Sequence, residues 1–171
     1  MRNAVRYITL FAVTLLLQVF FFDRLTLSVY LAPMIYIAAL VLLPVTTPAA
    51  ANLMVGLASG VAADLLCGTA GLHTIASLAA GYVRRPLLRA IVGHEGMRDA
   101  NIPSPRSMGR RQFAQYFILI TALHGLVFYV FETMTVGHFL HTMLRYLLGT
   151  LSSLLFLRIA AYLFTPNSVR Q

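Results

Sequence analysis

Three sets of residues in this sequence are spaced so that their side chains could act together. Asn52, Gly56, Gly60 and Asp64 recur every fourth position in a segment otherwise rich in Leu, Val and Ala, so on a helix they form one narrow, slowly drifting ridge. The spacing returns in His73, Ser77 and Gly81, and again in His141, Arg145, Gly149 and Ser153. A carboxylate, an imidazole and a guanidinium on such ridges suit ion pairing and hydrogen bonding between packed helices, and the glycines between them allow close approach. Asp64 ends a charge-free apolar run. An acid there costs about 2.5 to 3.5 kcal/mol to place in lipid, so it must face other helices and carry a partner.

Catalytic and metal chemistry fit these residues poorly. His138 and His141 lie near Glu132, but the set is loose for a metal and no HExxH or comparable spacing exists. Leu57-Ala58-Ser59-Gly60 has the serine and glycine of an intramembrane serine protease motif, with leucine where its first glycine would stand. Such a nucleophile also needs a histidine at its own depth, for which His124 is the sole candidate. An intramembrane aspartyl protease needs two carboxylates, and Asp64 alone qualifies. Without a phosphate-cradling loop either, the expectation is a protein that is not an enzyme and holds no metal or cofactor.

The elements that must position these residues follow from composition. Of 171 residues, 59% are hydrophobic and 11% charged, outside the range of a soluble domain. From Leu25 to Ala63 there is no charged residue, enough for two membrane crossings at roughly 20 residues each. The thirteen basic residues are all arginine, against five acids, and they gather in membrane-flanking segments. Positive-inside bias accounts for that pattern, with no nucleic acid as partner. The single Cys67 can form no intrachain disulfide and reads as a small apolar residue.

The apolar runs predict an all-α membrane protein, one compact bundle of six transmembrane helices over residues 4–22, 27–43, 49–67, 72–83, 113–132 and 139–164. The first follows Arg2 and Arg6 as a signal peptide would, but ends in Phe20-Phe21-Phe22, bulky for a cleavage site, and is kept as a helix. Gln18 near its far end is expected to bond a neighbouring helix or interfacial water. Pro33 interrupts the second run early, and Pro44-Val45-Thr46-Thr47-Pro48 closes it. Residues 84–112 hold seven of the arginines and read as a basic loop, its first part, Arg84 to Val92, patterned as an interfacial helix and Asn101 to Ser107 irregular. Anionic membrane lipid is the expected partner from Arg84 to Arg111.

Six spans place both termini on one side, and the arginines make that side cytoplasmic. Tyr7, Tyr82, Tyr116 and Tyr162 then fall near the inner boundary, Tyr30, Tyr129 and Tyr146 near the outer one, and Tyr36 inside. In this topology Asp64 and Arg145 both lie roughly 6 Å below the outer boundary at 1.5 Å per residue. The ridges of the third and sixth helices are therefore expected to face each other, with Asp64 paired to Arg145. His73, His124, Glu132, His138 and His141 belong to the same outer half.

The segment Gly60-Val61-Ala62-Ala63-Asp64-Leu65-Leu66-Cys67-Gly68-Thr69-Ala70-Gly71-Leu72-His73 resembles the signature hairpin of the rod shape-determining protein MreD family. The likeness extends to the length, the six hydrophobic segments, Pro33, the basic loop, His124 with Glu132 ending the fifth segment, and Arg145 in the sixth. The resemblance implies a non-enzymatic inner-membrane subunit of the bacterial cell-elongation machinery, or elongasome. Such a subunit binds an MreC-like single-span scaffold protein and, through it, MreB, RodA and a class B penicillin-binding protein that make lateral peptidoglycan. It further implies a fold similar to the substrate-binding component of energy-coupling-factor transporters. A rival reading is a transporter subunit binding a vitamin-like molecule, which would need a larger pocket with converging aromatic and polar groups. The positions expected to pack helices or meet a partner are Asn52, Gly56, Gly60, Asp64, Gly68, Gly71, His73, His124, Glu132, His141, Arg145 and Gly149.

Overall fold

In a computed structural model, described over residues 2–22, 32–96, 102–133 and 139–164, the chain is helical, with no strand among the described residues. Its elements are α1 (Arg2–Leu17, widening into a π-turn over Gln18–Phe22), α2 (Ala38–Val41), α3 (Ala49–Cys67), α4 (Leu72–Gly96), α5 (Arg110–Glu132) and α6 (Phe139–Phe164). Among the described residues three stretches, Ala49–Cys67, Arg110–Glu132 and Leu140–Leu163, are long and apolar enough to cross a membrane. The buried residues of α3 are Asn52, Gly56, Ser59, Gly60, Ala63 and Asp64, whereas Met54, Leu57, Val61 and Leu65 are exposed. Acyl chains are as apolar as leucine, so burying leucine gains little in lipid and small or polar residues take the helix contacts. This is a membrane protein whose α3 turns its small and polar residues inward.

The second apolar run departs from expectation. Within its described part, residues 32–43, only Ala38–Val41 is α-helix, flanked by tighter turns such as Ala38 N–H to Ile35 O and Leu43 N–H to Leu40 O. Residues 34–43 are nonetheless all buried, so the segment threads the interior. Irregular backbone survives at membrane depth only where protein groups replace its missing hydrogen bonds. Here they do. Ser153 Oγ accepts from Met34 N–H at 2.9 Å, Gln18 Oε1 accepts from Ile35 N–H at 2.8 Å, and Tyr116 donates to Val41 O at 2.9 Å. Gln18 thus bonds a neighbouring segment, and the π-turn it opens is a local widening of α1 beside that contact.

The fourth helix is longer than expected: α4 continues past residue 83 to Gly96, so the helical pattern at the start of the basic segment belongs to the same element. Pro86 is tolerated because it and Tyr82, whose carbonyl loses its partner, both lie on the exposed face. The bend falls instead at Gly93, whose φ of 73° only glycine adopts readily.

The polar ridges of α3 and α4 lock together in antiparallel register. A Cβ built on Gly56 would lie 2.7 Å from Ser77 O, one on Gly60 would overlap Thr74 Cα, and one on Gly81 would lie 2.9 Å from Asn52 O. The ridge of α6 packs on α5, where Gly149 lies under the hydroxyl of Tyr129 and Gly125 against Thr150. The expected facing of α3 and α6 is therefore wrong. A four-residue turn obliges α4 to lie beside α3, and the two ridges satisfy each other.

Candidate functional site

The turn between α3 and α4 is built around Asp64. Gly68 ends α3 in the left-handed conformation (φ 70°, ψ 28°) with its N–H on Asp64 O, and Thr69 N–H reaches the same carbonyl at 3.0 Å. Gly71, also at positive φ, occupies the cap position of α4, with its carbonyl accepting from Ile75 N–H at 3.0 Å. Glycine has no side chain to cap the free N–H groups that follow. Asp64 supplies the cap from the previous helix: Oδ1 accepts from His73 N–H at 3.0 Å and Oδ2 from Thr74 N–H at 2.9 Å. The hydroxyls of Thr69 and Thr74 and the Nδ1 of His73, 3.1 Å away, complete the shell. A carboxylate on the first turn of a helix is favoured both by those donors and by the helix dipole.

Arg145 is elsewhere. It bonds Glu132 at 2.9 Å and lies 5.5 Å from the ring centroid of Tyr129, at the partly exposed end of α5 and α6. The expected pairing of Asp64 with Arg145 is thus overturned, because the backbone and hydroxyl donors beside Asp64 satisfy it locally.

Behind the turn, the imidazole of His73 leads to a hub at Tyr36. The hydroxyl of Tyr36 lies 2.7 Å from His124 Nε2 and accepts from Ser77 Oγ at 3.1 Å, and its ring meets His73 and His124 edge to face. Phe128 closes the far side of His73 with centroids 4.8 Å apart. Besides accepting from Ser77, the phenol lies within hydrogen-bond reach of two groups, His124 Nε2 and, at 3.4 Å, the carbonyl of His73. The cluster joins α4, α5 and the irregular segment before α2.

A second node lies at the other end of the α3–α4 contact. Arg84 is fully buried, its Nε donating to Tyr116 at 3.0 Å and its guanidinium to Asn52 Oδ1 at 3.0 Å and to the carbonyls of Leu43 and Pro44. No carboxylate among the described residues lies within ion-pair distance of it. Carbonyl and phenol dipoles hold the charge, and in doing so they satisfy the carbonyls where the broken segment ends. The expectation that Arg84 meets lipid is corrected: it binds the interior of its own fold.

Of the twelve sequence-marked positions, Asp64, His73 and His124 meet in one cluster with Gly60, Gly68 and Gly71 shaping its approach. Asn52 belongs to the Arg84 node, and Gly56 to the contact between the two nodes. Glu132, Arg145 and Gly149 lie on the α5–α6 contact, and His141 is exposed on α6. His138 falls outside the described residues. Among the described residues no three His, Cys, Asp or Glu side chains converge as a metal site, and Ser59 Oγ donates to Gly56 O at 3.1 Å within its own helix. The residues missed were Thr69, Thr74, Arg84 and Tyr116, together with the role of Tyr36. A signal for Arg84 was present: it stands eleven residues, three helical turns, beyond His73 on the ridge of Ser77 and Gly81.

Compared with protein-family models, with curated proteins and with solved structures, the chain matches none.

Proposed function

We propose that this chain is a non-enzymatic, multi-pass subunit of a bacterial inner-membrane complex for cell elongation, similar to MreD. It holds an MreC-like single-span scaffold protein and, through it, MreB, RodA and a class B penicillin-binding protein during lateral peptidoglycan synthesis. The observation that carries this reading is the hairpin. The residues by which it resembles that family, Gly60, Asp64, Gly68, Gly71 and His73, are the ones that join α3 to α4 and cap the second helix from the first.

In this reading the chain crosses the membrane six times, with both termini cytoplasmic. To the three long apolar helices it adds α1, the buried run around α2 and the first half of α4. The buried polar groups act in scaffolding rather than turnover: both oxygens of Asp64 are taken by donors, and the Tyr36 hydroxyl is shared between a serine and a histidine.

Purification from the native membrane tests the assignment. A stoichiometric single-span scaffold protein is the expected companion, and cells lacking this chain should lose rod shape. Recovery of a bound vitamin with an ATPase pair, and unchanged cell shape, would overturn it in favour of a transporter subunit.

A further inference from the structure

A groove of about 830 Å³ opens between α5, α6 and the segment before α5. Arg106, Arg110 and Arg158 stand in its wall, and no acidic residue among the described residues lines it. Because α5 and α6 run antiparallel, Arg110 on the first turn of one and Arg158 near the end of the other come to the same end of the groove. The remaining wall is largely apolar and includes Phe117, Ile118 and Leu155, of which Ile118 is 50% and Leu155 60% exposed, so the groove opens sideways. Both helices are long and apolar enough to span a membrane. In a membrane spanned by both helices the lateral opening would face acyl chains, with Arg110 at the start of α5 and Arg158 five residues before Leu163, within reach of headgroups by its long side chain.

We propose that this groove binds one anionic glycerophospholipid, its phosphate held by Arg110 and Arg158 with Arg106 beside them, and an acyl chain lying along Phe117, Ile118 and Leu155. Guanidinium groups suit a phosphodiester because they present paired donors in a fixed fork. Arg110 and Arg158 at one mouth favour a lipid of net negative charge over a zwitterionic one, which brings its own cation. Free phosphate would match the mouth but leave the apolar wall unfilled, so the two halves together select a lipid. The site narrows the general attraction of a basic segment for lipid to one groove, most of it on α5 and α6. It does not rest on the cell-elongation reading, since scaffold capture can fail while lipid is retained.

The test uses the full chain in phosphatidylcholine nanodiscs doped with phosphatidylglycerol, with retained lipid counted by native mass spectrometry and helical content checked by circular dichroism. Wild type retains phosphatidylglycerol in preference to phosphatidylcholine. Arg110→Gln with Arg158→Gln lowers that retention about tenfold, whereas Arg89→Gln with Arg111→Gln removes equal charge outside the groove and changes it less than about twofold. Ile118→Trp fills the apolar wall and also releases the lipid, although every arginine remains. Equal loss in both double variants, equal retention of phosphatidylcholine, or displacement by inorganic phosphate alone would overturn the proposal. Crosslinks from position 118 to a partner protein, with lipid retention unaffected by either arginine, would do the same.

Discussion

Thr74 donates both its backbone N–H, at 2.9 Å, and its hydroxyl, at 2.6 Å, to Oδ2 of Asp64, ten residues earlier in the chain. The acid is therefore an intrachain cap, and its burial is compensated without any arginine. Removing it takes the side-chain acceptor from the N–H groups of His73, which is buried, and Thr74, which is partly so, at the start of α4. Asp64→Ala is expected to cost about 2 to 4 kcal/mol, the sum of a lost cap and unsatisfied donors, read as a lower unfolding midpoint in detergent. Arg145→Ala should cost no more than about 1 kcal/mol. A double-mutant cycle between the two should be additive within about 0.5 kcal/mol. A coupling well above that would restore the direct pair.

Arg84 makes the opposite prediction, that added charge stabilises. Its guanidinium is fully buried with Asn52 as a side-chain acceptor, while Asn52 Nδ2 has no partner among the described residues. Asn52→Asp replaces the orphaned donor by an acceptor and gives the cation a counter-charge of the same shape. The variant should unfold at a higher temperature than wild type. Asn52→Leu, which leaves the guanidinium with carbonyls and Tyr116 alone, should lose about 3 kcal/mol. A lower midpoint for Asn52→Asp would mean that the site is already balanced by groups not yet recognised.

These two sites show where the sequence could be read and where it could not. The extents of α3 and α6, the polar ridges, and the glycine turn were legible because spacing in a helix reports which residues share a face. Spacing does not report which neighbour that face meets: a shared depth suggests α6 for the ridge of α3, but the short turn places α4 beside it. The run around α2 failed for a different reason. Its hydropathy announced burial correctly, but burial and helix are separate properties, and the groups that replace its hydrogen bonds come from Gln18, Arg84, Tyr116 and Ser153, far away in sequence. Arg84 was hidden by its company: next to Arg85 and Pro86 it reads as the start of a loop, and only the continued ridge separates it from them.

The glycines of the α3–α4 contact should rank by what a methyl group would strike. On Gly60 it overlaps backbone at Thr74 and lies 2.9 Å from His73 O, and on Gly56 it lies 2.7 Å from Ser77 O, so either substitution must push the helices apart. On Gly68 it meets nothing, and only the positive φ of 70° resists it. Gly60→Ala and Gly56→Ala are expected to cost about 2 to 3 kcal/mol, and Gly68→Ala about 1 kcal/mol, by unfolding midpoint. A larger loss at Gly68 than at Gly60 would show that the helices are not in the register described.

Tyr36→Phe separates a structural role for the inner cluster from a partner-binding one. The phenol is buried at 1% exposure, and its hydroxyl is the acceptor for Ser77 and the neighbour of His124 Nε2. Deleting that oxygen leaves both groups unpaired in the interior while keeping the ring that packs on His73, so stability should fall by about 1 to 3 kcal/mol. Since the hydroxyl is enclosed by its own chain, the protein that does accumulate should recover the proposed scaffold partner in the same molar ratio as wild type. Quantitative pull-down normalised to folded protein reads the second quantity, and thermal unfolding reads the first. A reduced molar ratio with an unchanged unfolding midpoint would instead place the hydroxyl in contact with the partner, and with it the face of the bundle that α4 and α5 share.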